Sequence, residues 1–258
     1  MEQQNRPIGV FDSGVGGISV LKELVSLMPQ EHYIYYGDSR NAPYGGKTLE
    51  EVRALTEEKV LHLLRQNVKA VVIACNTATS ADVSILRQRY PDIPIIGIEP
   101  ALKPAVLSAS CPRVLVMATP MTIREEKFRH LMEQYQGQAQ IYPLACPGIA
   151  EFVERGELQG ERLQELLERL LAPYFDMEIN AVVLGCTHYP FVRETIASVL
   201  PDRVQFYDGG SGVARETKRR LAGMGMLRIG DEKGTVEFEN SLDDPRVLSL
   251  CCQLLNSK

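Results

Sequence analysis

Residues 180–190, NAVVLGCTHYP, decide the fold. The run Ala181-Val182-Val183-Leu184 is apolar, β-rich and unalternating, which is how a strand buried on both faces of a parallel sheet reads. Gly185 permits a sharp turn, and Cys186, Thr187 and His188 follow where the strand gives way to a helix that Pro190 starts. Ligands of open α/β sheets bind at that carboxyl edge. The same pattern occurs at residues 70–79, AVVIACNTAT. Aligned on the cysteines, Ala70 to Ala74 matches Ala181 to Gly185, and Asn76-Thr77 stands where Thr187-His188 stands. A second pair agrees at nearly the same offset: Pro7 to Ser13 resembles Arg113 to Thr119, each a strand ending in a small polar group. The chain therefore reads as two similar, pseudo-symmetric α/β domains with mostly parallel sheets. Each carries one cysteine at a strand end, and the active site is expected in the cleft between them. The expected division is residues 1–98 with 208–258 for the first domain and 99–207 for the second, with hinges at 97–104 and 204–208.

Length and composition allow this. The 258 residues, 45% hydrophobic and 24% charged, suffice for two domains of roughly 100–150 residues each. A net charge of −5 with no basic run gives no general attraction for nucleic acid or an anionic membrane. The opening MEQQNRP lacks a basic and apolar signal region, and no apolar stretch reaches the roughly 20 residues of a membrane span. A cytoplasmic protein is expected, so the six cysteines read as reduced thiols rather than a disulfide framework. There is no Cys-x-x-Cys. Cys186 and His188 could share a metal, but structural zinc takes four ligands and catalytic zinc usually three, and no local spacing supplies the others. No metal site is expected.

Along the chain, Ile8 to Phe11 reads as a strand, Asp12-Ser13-Gly14-Val15-Gly16-Gly17 as a glycine-rich loop, and Ile18 to Met28 as an amphipathic helix. Backbone N–H groups in such a loop can bind a carboxylate or phosphate, while a plain strand-to-helix turn needs no ligand. A dinucleotide fingerprint would also require an acidic residue about 20 positions on. The carboxylate of Asp12 would repel phosphate and suits an ammonium group. Gly46-Lys47-Thr48 imitates the end of a phosphate loop, yet Asn41 stands where that motif needs glycine. Thr48 and Glu51 instead form a capping box for a helix to about Gln66, and Thr122 with Glu125 reads as another. Further strands are expected at 32–38, 93–98, 114–117, 141–144, 204–207 and 235–238. A helix bearing Glu154 follows Cys146-Pro147-Gly148, and further helices are expected at 161–175, 191–200 and 245–255. The cluster Arg215, Lys218, Arg219 and Arg220 reads as a solvated helix face.

A single cysteine after an apolar strand is commonly inert core. Two such thiols, each expected at a helix N-terminus where its pKa can fall, and each beside hydroxyl, amide or imidazole groups, call for a chemical account. A thiol hydrolase with Cys186 as nucleophile and His188 as base leaves Cys75 without a role. A two-lobed amino-acid sensor uses the cleft and neither thiol. Proton transfer at a stereocentre uses both: one thiol removes a proton from one face of a carbon and its counterpart delivers one to the other.

Asp12-Ser13-Gly14-Val15-Gly16-Gly17, Pro43-Tyr44-Gly45, Ala74-Cys75-Asn76-Thr77-Ala78 and Gly185-Cys186-Thr187-His188-Tyr189-Pro190 resemble, in the right order, the signatures of glutamate racemases within the cofactor-independent aspartate/glutamate racemase family. The resemblance covers nearly the whole chain. It implies interconversion of L- and D-glutamate without a cofactor, supplying D-glutamate for peptidoglycan, with Cys75 acting on the D-enantiomer and Cys186 on the L-enantiomer. It further implies that Asp12 and His188 assist the thiols and that Glu154 lies near the second one. Ser13, Tyr44, Gly45, Asn76, Thr77, Thr119, Thr122 and Thr187, with Asp12 and His188, would hold the amino acid. Within the family a racemase of aspartate is the nearest alternative, since specificity depends on pocket length. A homodimer is left open. His32, His62 and His130 have no motif context and read as surface or structural.

Overall fold

The computed structural model describes residues 3–257. The first half comprises β1 (Ile8–Asp12), α1 (Ile18–Leu27), β2 (Tyr33–Gly37), α2 (Leu49–Arg65), β3 (Ala70–Ile73), α3 (Asn76–Arg89) and β4 (Ile95–Gly97). The second comprises α4 (Leu102–Val106), β5 (Arg113–Ala118), α5 (Pro120–Arg124), α6 (Glu126–Glu133), β6 (Gln140–Ala145), α7 (Ile149–Glu154), α8 (Glu161–Leu171), β7 (Ala181–Gly185), α9 (Arg193–Val199) and β8 (Gln205–Asp208). The chain then forms α10 (Gly210–Gly223), which packs on α1. It ends in β9 (Val236–Asn240), which joins the first sheet beside β2, and α11 (Pro245–Asn256), which packs on α1 and β9.

Both sheets are parallel throughout. Their strands run β4-β3-β1-β2-β9 and β6-β5-β7-β8. Leaving out β9, the two orders are the same, β2-β1-β3-β4 against β6-β5-β7-β8. The register repeats as well: Ile8 faces Ala70 in one sheet and Val114 faces Ala181 in the other, the residues that the sequence repeat equates. The apolar unalternating runs explain this arrangement. Every residue of β1, β3 and β7 is buried, because helices cover both faces of these central strands. The edge strands β6 and β8 are only partly buried, and their sequences QIYPLA and QFYD are correspondingly mixed.

Local signals explain the element ends. Thr48 accepts from the Glu51 amide and the Glu51 carboxylate accepts from the Thr48 amide, the reciprocal box that starts α2. The expected Thr122–Glu125 box does not form. Thr119 is the cap of α5, accepting from the Thr122 amide, because Pro120 is already set for the first helical position and moves the start upstream. The expected helix 161–175 ends at Leu171, and Pro173 lies in the 3₁₀ segment Ala172–Met177 that follows. Arg215, Lys218, Arg219 and Arg220 are exposed on α10, the last two sharing Glu216. His62 is bound to Glu239, His32 to Thr235, and His130 lies at the surface. Among the described residues no helix is long and apolar enough to cross a membrane.

Candidate active site

Cys75 follows β3 as the N-cap of α3, a 14-residue helix. Its sulfur accepts the Ala78 N–H and donates to Ser13 Oγ, both at 3.5 Å. Burial, and next the charge of Asp12, push this thiol up to about 12, while the bonds to Ser13 and Ala78 pull the other way. The free protein therefore holds Cys75 protonated at neutral pH.

Cys186 follows β7 in the equivalent register, yet its setting differs from the sequence expectation. Only Cys75 sits at an α-helix N-terminus. After Cys186 the chain makes a 3₁₀ turn, Tyr189–Val192, with Tyr189 N–H bonded to the Cys186 carbonyl, and α9 begins at Arg193. An imidazole serves Cys186 instead: His188 Nδ1 lies 3.6 Å from Sγ, and His188 Nε2 is 2.6 Å from Glu154 Oε1. Burial is the largest influence on His188 and opposes its charge. The hydrogen bonds to Cys186 and Glu154, with their negative charges, outweigh it and raise the imidazole well above its ordinary 6.5. Cys186, His188 and Glu154 thus form a line along which a proton can be held.

The glycine-rich loop after β1 receives this line from the other half. Val15 N–H donates to Glu154 Oε1 at 2.7 Å, and Gly14 N–H donates to Asp12 Oδ2 at 3.0 Å. The anions bound by the loop are therefore the protein's own carboxylates. Its glycines are required by close approach: a Cβ on Gly14 would overlap the Glu154 carboxylate, and one on Gly16 would overlap the His188 ring. Asp12 is fully buried and also accepts from Thr187 Oγ1 of the second half at 3.1 Å. Burial raises its carboxyl above the ordinary range, against the opposing influences of His188 and the Gly14 amide.

Ten of the residues singled out from sequence line one narrow pocket: Ser13, Tyr44, Gly45, Cys75, Asn76, Thr77, Thr119, Cys186, Thr187 and His188. Pro43 and Ala150 complete the wall. The two thiols, from different sheets, meet there. Asp12, Glu154 and Thr122 stand one layer behind, bonded respectively to Thr187, His188 and the hydroxyls of Thr77 and Thr119. Thr77 and Thr119 are themselves 3.0 Å apart across the halves, so three hydroxyls meet on one side of the pocket. Asn76 Oδ1 is buried with no hydrogen-bond partner among the described residues, an acceptor left for a bound group with N–H donors. Groups of three or more His, Cys, Asp or Glu disposed to hold a metal ion do not occur among the described residues.

Two supporting residues were not singled out from sequence. Asp38, fully buried, accepts from Tyr44 Oη at 2.7 Å and from Asn41 Nδ2, which fixes the loop carrying Tyr44 and Gly45. Ser39 donates to Glu154 Oε2 at 3.0 Å. An acidic residue ending an apolar strand, the signal that drew attention to Asp12, also marks Asp38. Nothing local marks Ser39.

Comparison with known proteins gives the family. The model of the Asp/Glu/Hydantoin racemase family matches residues 8–217. A glutamate racemase of Clostridium acetobutylicum is 52% identical over 256 residues, 99% of this chain and all of that one. The structure of a Bacillus anthracis glutamate racemase isoform superposes with a TM-score of 0.88 at 28% identity, covering 99% of this chain and 96% of the other. A Francisella tularensis glutamate racemase in complex with D-glutamate gives 0.85 at 29% identity, covering 99% and 95%. With a family match across most of its length and relatives that are half identical from end to end, the chain belongs to the Asp/Glu/Hydantoin racemase family.

Proposed function

We propose that the protein interconverts L- and D-glutamate by two-base proton transfer, Cys186 serving the L-face and Cys75 the D-face. The observation that carries this reading is the meeting of two strand-end thiols, from sheets of equivalent register, on one pocket. From L-glutamate, the α-C–H bond breaks as its proton passes to the Cys186 sulfur. The electron pair stays on the α-carbon and spreads into the adjoining carboxylate. The Cys75 S–H then gives its proton to the opposite face. The reverse direction exchanges the two roles.

The resting protonation fits the first direction. Cys75 is held as the acid by burial and the charge of Asp12, while His188 is within reach to take or return the proton of Cys186. For D-glutamate, Cys75 must become the base, and the Ser13 hydroxyl and Ala78 N–H already face the charge that forms on its sulfur. The α-hydrogen is very weakly acidic, so the reaction needs a desolvated, aligned base and a closed cleft, which the buried pocket supplies. The Thr77, Thr119 and Thr187 hydroxyls and Asn76 hold the carboxylates and ammonium of the substrate, and Asp12 favours the ammonium.

In this reading residues 1–98 with 208–258 form one domain and 99–207 the other, residues 1, 2 and 258 lying outside the described part. Closure turns on the segments at 97–104 and 204–208. The protein acts in the cytoplasm on a small molecule, without nucleic acid, membrane or cofactor, and its D-glutamate feeds peptidoglycan synthesis. Circular dichroism change on L- and D-glutamate, then on aspartate, without added cofactor tests it: activity on both glutamate enantiomers is expected, and turnover of aspartate in preference to glutamate contradicts the assignment.

A further inference from the structure

The relay behind Cys186 is built across the two halves. Glu154 and His188 belong to the second half, whereas both donors that fix the Glu154 carboxylate, Val15 N–H and Ser39 Oγ, belong to the first. The Ser39 hydroxyl has a set direction. Asn240 Nδ2 donates to Ser39 Oγ at 2.9 Å, and the Leu242 N–H donates to Asn240 Oδ1 at 3.0 Å, so the amide is held with its NH₂ toward Ser39. With an acceptor site of Ser39 filled, its single proton goes to Glu154 Oε2. Oε1 is then shared between Val15 N–H and His188 Nε2. Asn240 ends β9, the edge strand with no counterpart in the second sheet, in register with Gly37, two residues before Ser39. A side chain at Gly37 would crowd both the Gly14 carbonyl and Asn240 Nδ2. The extra strand thus brings an amide to one of the places where the relay meets the first half, the Ser39 hydroxyl.

We propose that Ser39, aimed by Asn240, is a positioning residue that holds Glu154 on His188, so that the Cys186 relay is complete only when the two halves are in contact. Neither residue touches the pocket; each acts through the Glu154 carboxylate. The proposal rests on the relay assigned above. A charge-assisted hydrogen bond of this kind lost from Ser39→Ala should lower kcat about tenfold, with KM changed far less. Ser39→Thr keeps the hydroxyl and should stay within about threefold of the parent.

The deciding test is a double-mutant cycle on kcat, with far-ultraviolet circular dichroism and thermal midpoints recorded for each variant. Glu154→Gln alone should cost about a hundredfold, and Ser39→Ala added to it should cost nothing more, because its effect runs through that carboxylate. Independent, multiplying losses would overturn the proposal while leaving the relay intact. Full activity in Glu154→Gln alone would instead refute the relay itself. A Ser39→Thr variant as impaired as Ser39→Ala, with both folded, would also overturn the role given to the hydroxyl.

Discussion

Gly14 and Glu154 occupy one space from opposite halves of the molecule: the carboxylate lies where a side chain on Gly14 would be, and the next residue, Val15, donates its N–H to it. The loop that resembles a phosphate cradle is a socket for a carboxylate of the same chain. Gly14→Ala should therefore obstruct the seating of Glu154 and lower kcat at least about tenfold, without loss of the fold. Gly212, in the first turn of α10 with open space around it, is the control: Gly212→Ala should be active and stabilised by about 0.4–1 kcal/mol. Steady-state kinetics and chemical denaturation measure both, and an unimpaired Gly14→Ala enzyme would contradict the socket.

Each thiol should be indispensable. Cys75→Ser and Cys186→Ser should each reduce racemisation by about 10²- to 10⁴-fold in both directions, since serine is a far poorer base. Circular dichroism should show both variants folded. Near-normal turnover in either one would leave that thiol outside the chemistry.

His188 carries a pH signature. Its imidazole is raised above 6.5 in the folded protein, so its protonation stabilises the fold fully below that value, and the contribution is lost as pH rises through the raised folded value. The thermal midpoint of the parent relative to His188→Gln should accordingly be highest below the ordinary 6.5 and fall at alkaline pH, as the raised folded value is passed. A difference that grows with alkalinity would mean that the buried ring is neutral.

Far from the site, Lys69 and Glu31 form a fully buried ion pair, and Lys69 also donates to the Gln4 and Met226 carbonyls. Glu31 in turn accepts the Arg228 N–H, so the pair ties the segment after α10 to the first sheet. Lys69→Met leaves the Glu31 carboxylate unpaired and should cost about 3–5 kcal/mol in urea unfolding, with KM unchanged. A cost below about 1 kcal/mol would place the pair among contacts of surface strength.

Much of the fold was legible because four central strands are buried on both faces and so show unbroken apolar runs, and because the repeat matched them in register. The pocket was legible where a motif residue lines it, as with Cys75, Thr77 and His188. What escaped was made by distance in sequence. Ser39, Glu154 and Asn240 meet through side chains 115 and 201 positions apart, and a serine in a loop carries no local mark of that contact. The α-helix start expected at Cys186 was not legible for a different reason: Pro190 is compatible with the first turn of a 3₁₀ segment as well as of an α-helix, and here it opens the 3₁₀ turn Tyr189–Val192, with the Tyr189 hydroxyl bonded to the Cys146 carbonyl.

The central claim is that Cys75 and Cys186 work on opposite faces of one α-carbon, and heavy water tests it most directly. L-glutamate turned over in deuterium oxide and followed early by proton NMR should yield D-glutamate carrying solvent deuterium, because the delivering thiol has exchanged with solvent. The unreacted L-glutamate should keep its protium. Substantial protium in the newly formed D-enantiomer would mean that a single base returns the hydrogen it removed, and would contradict the two-thiol account.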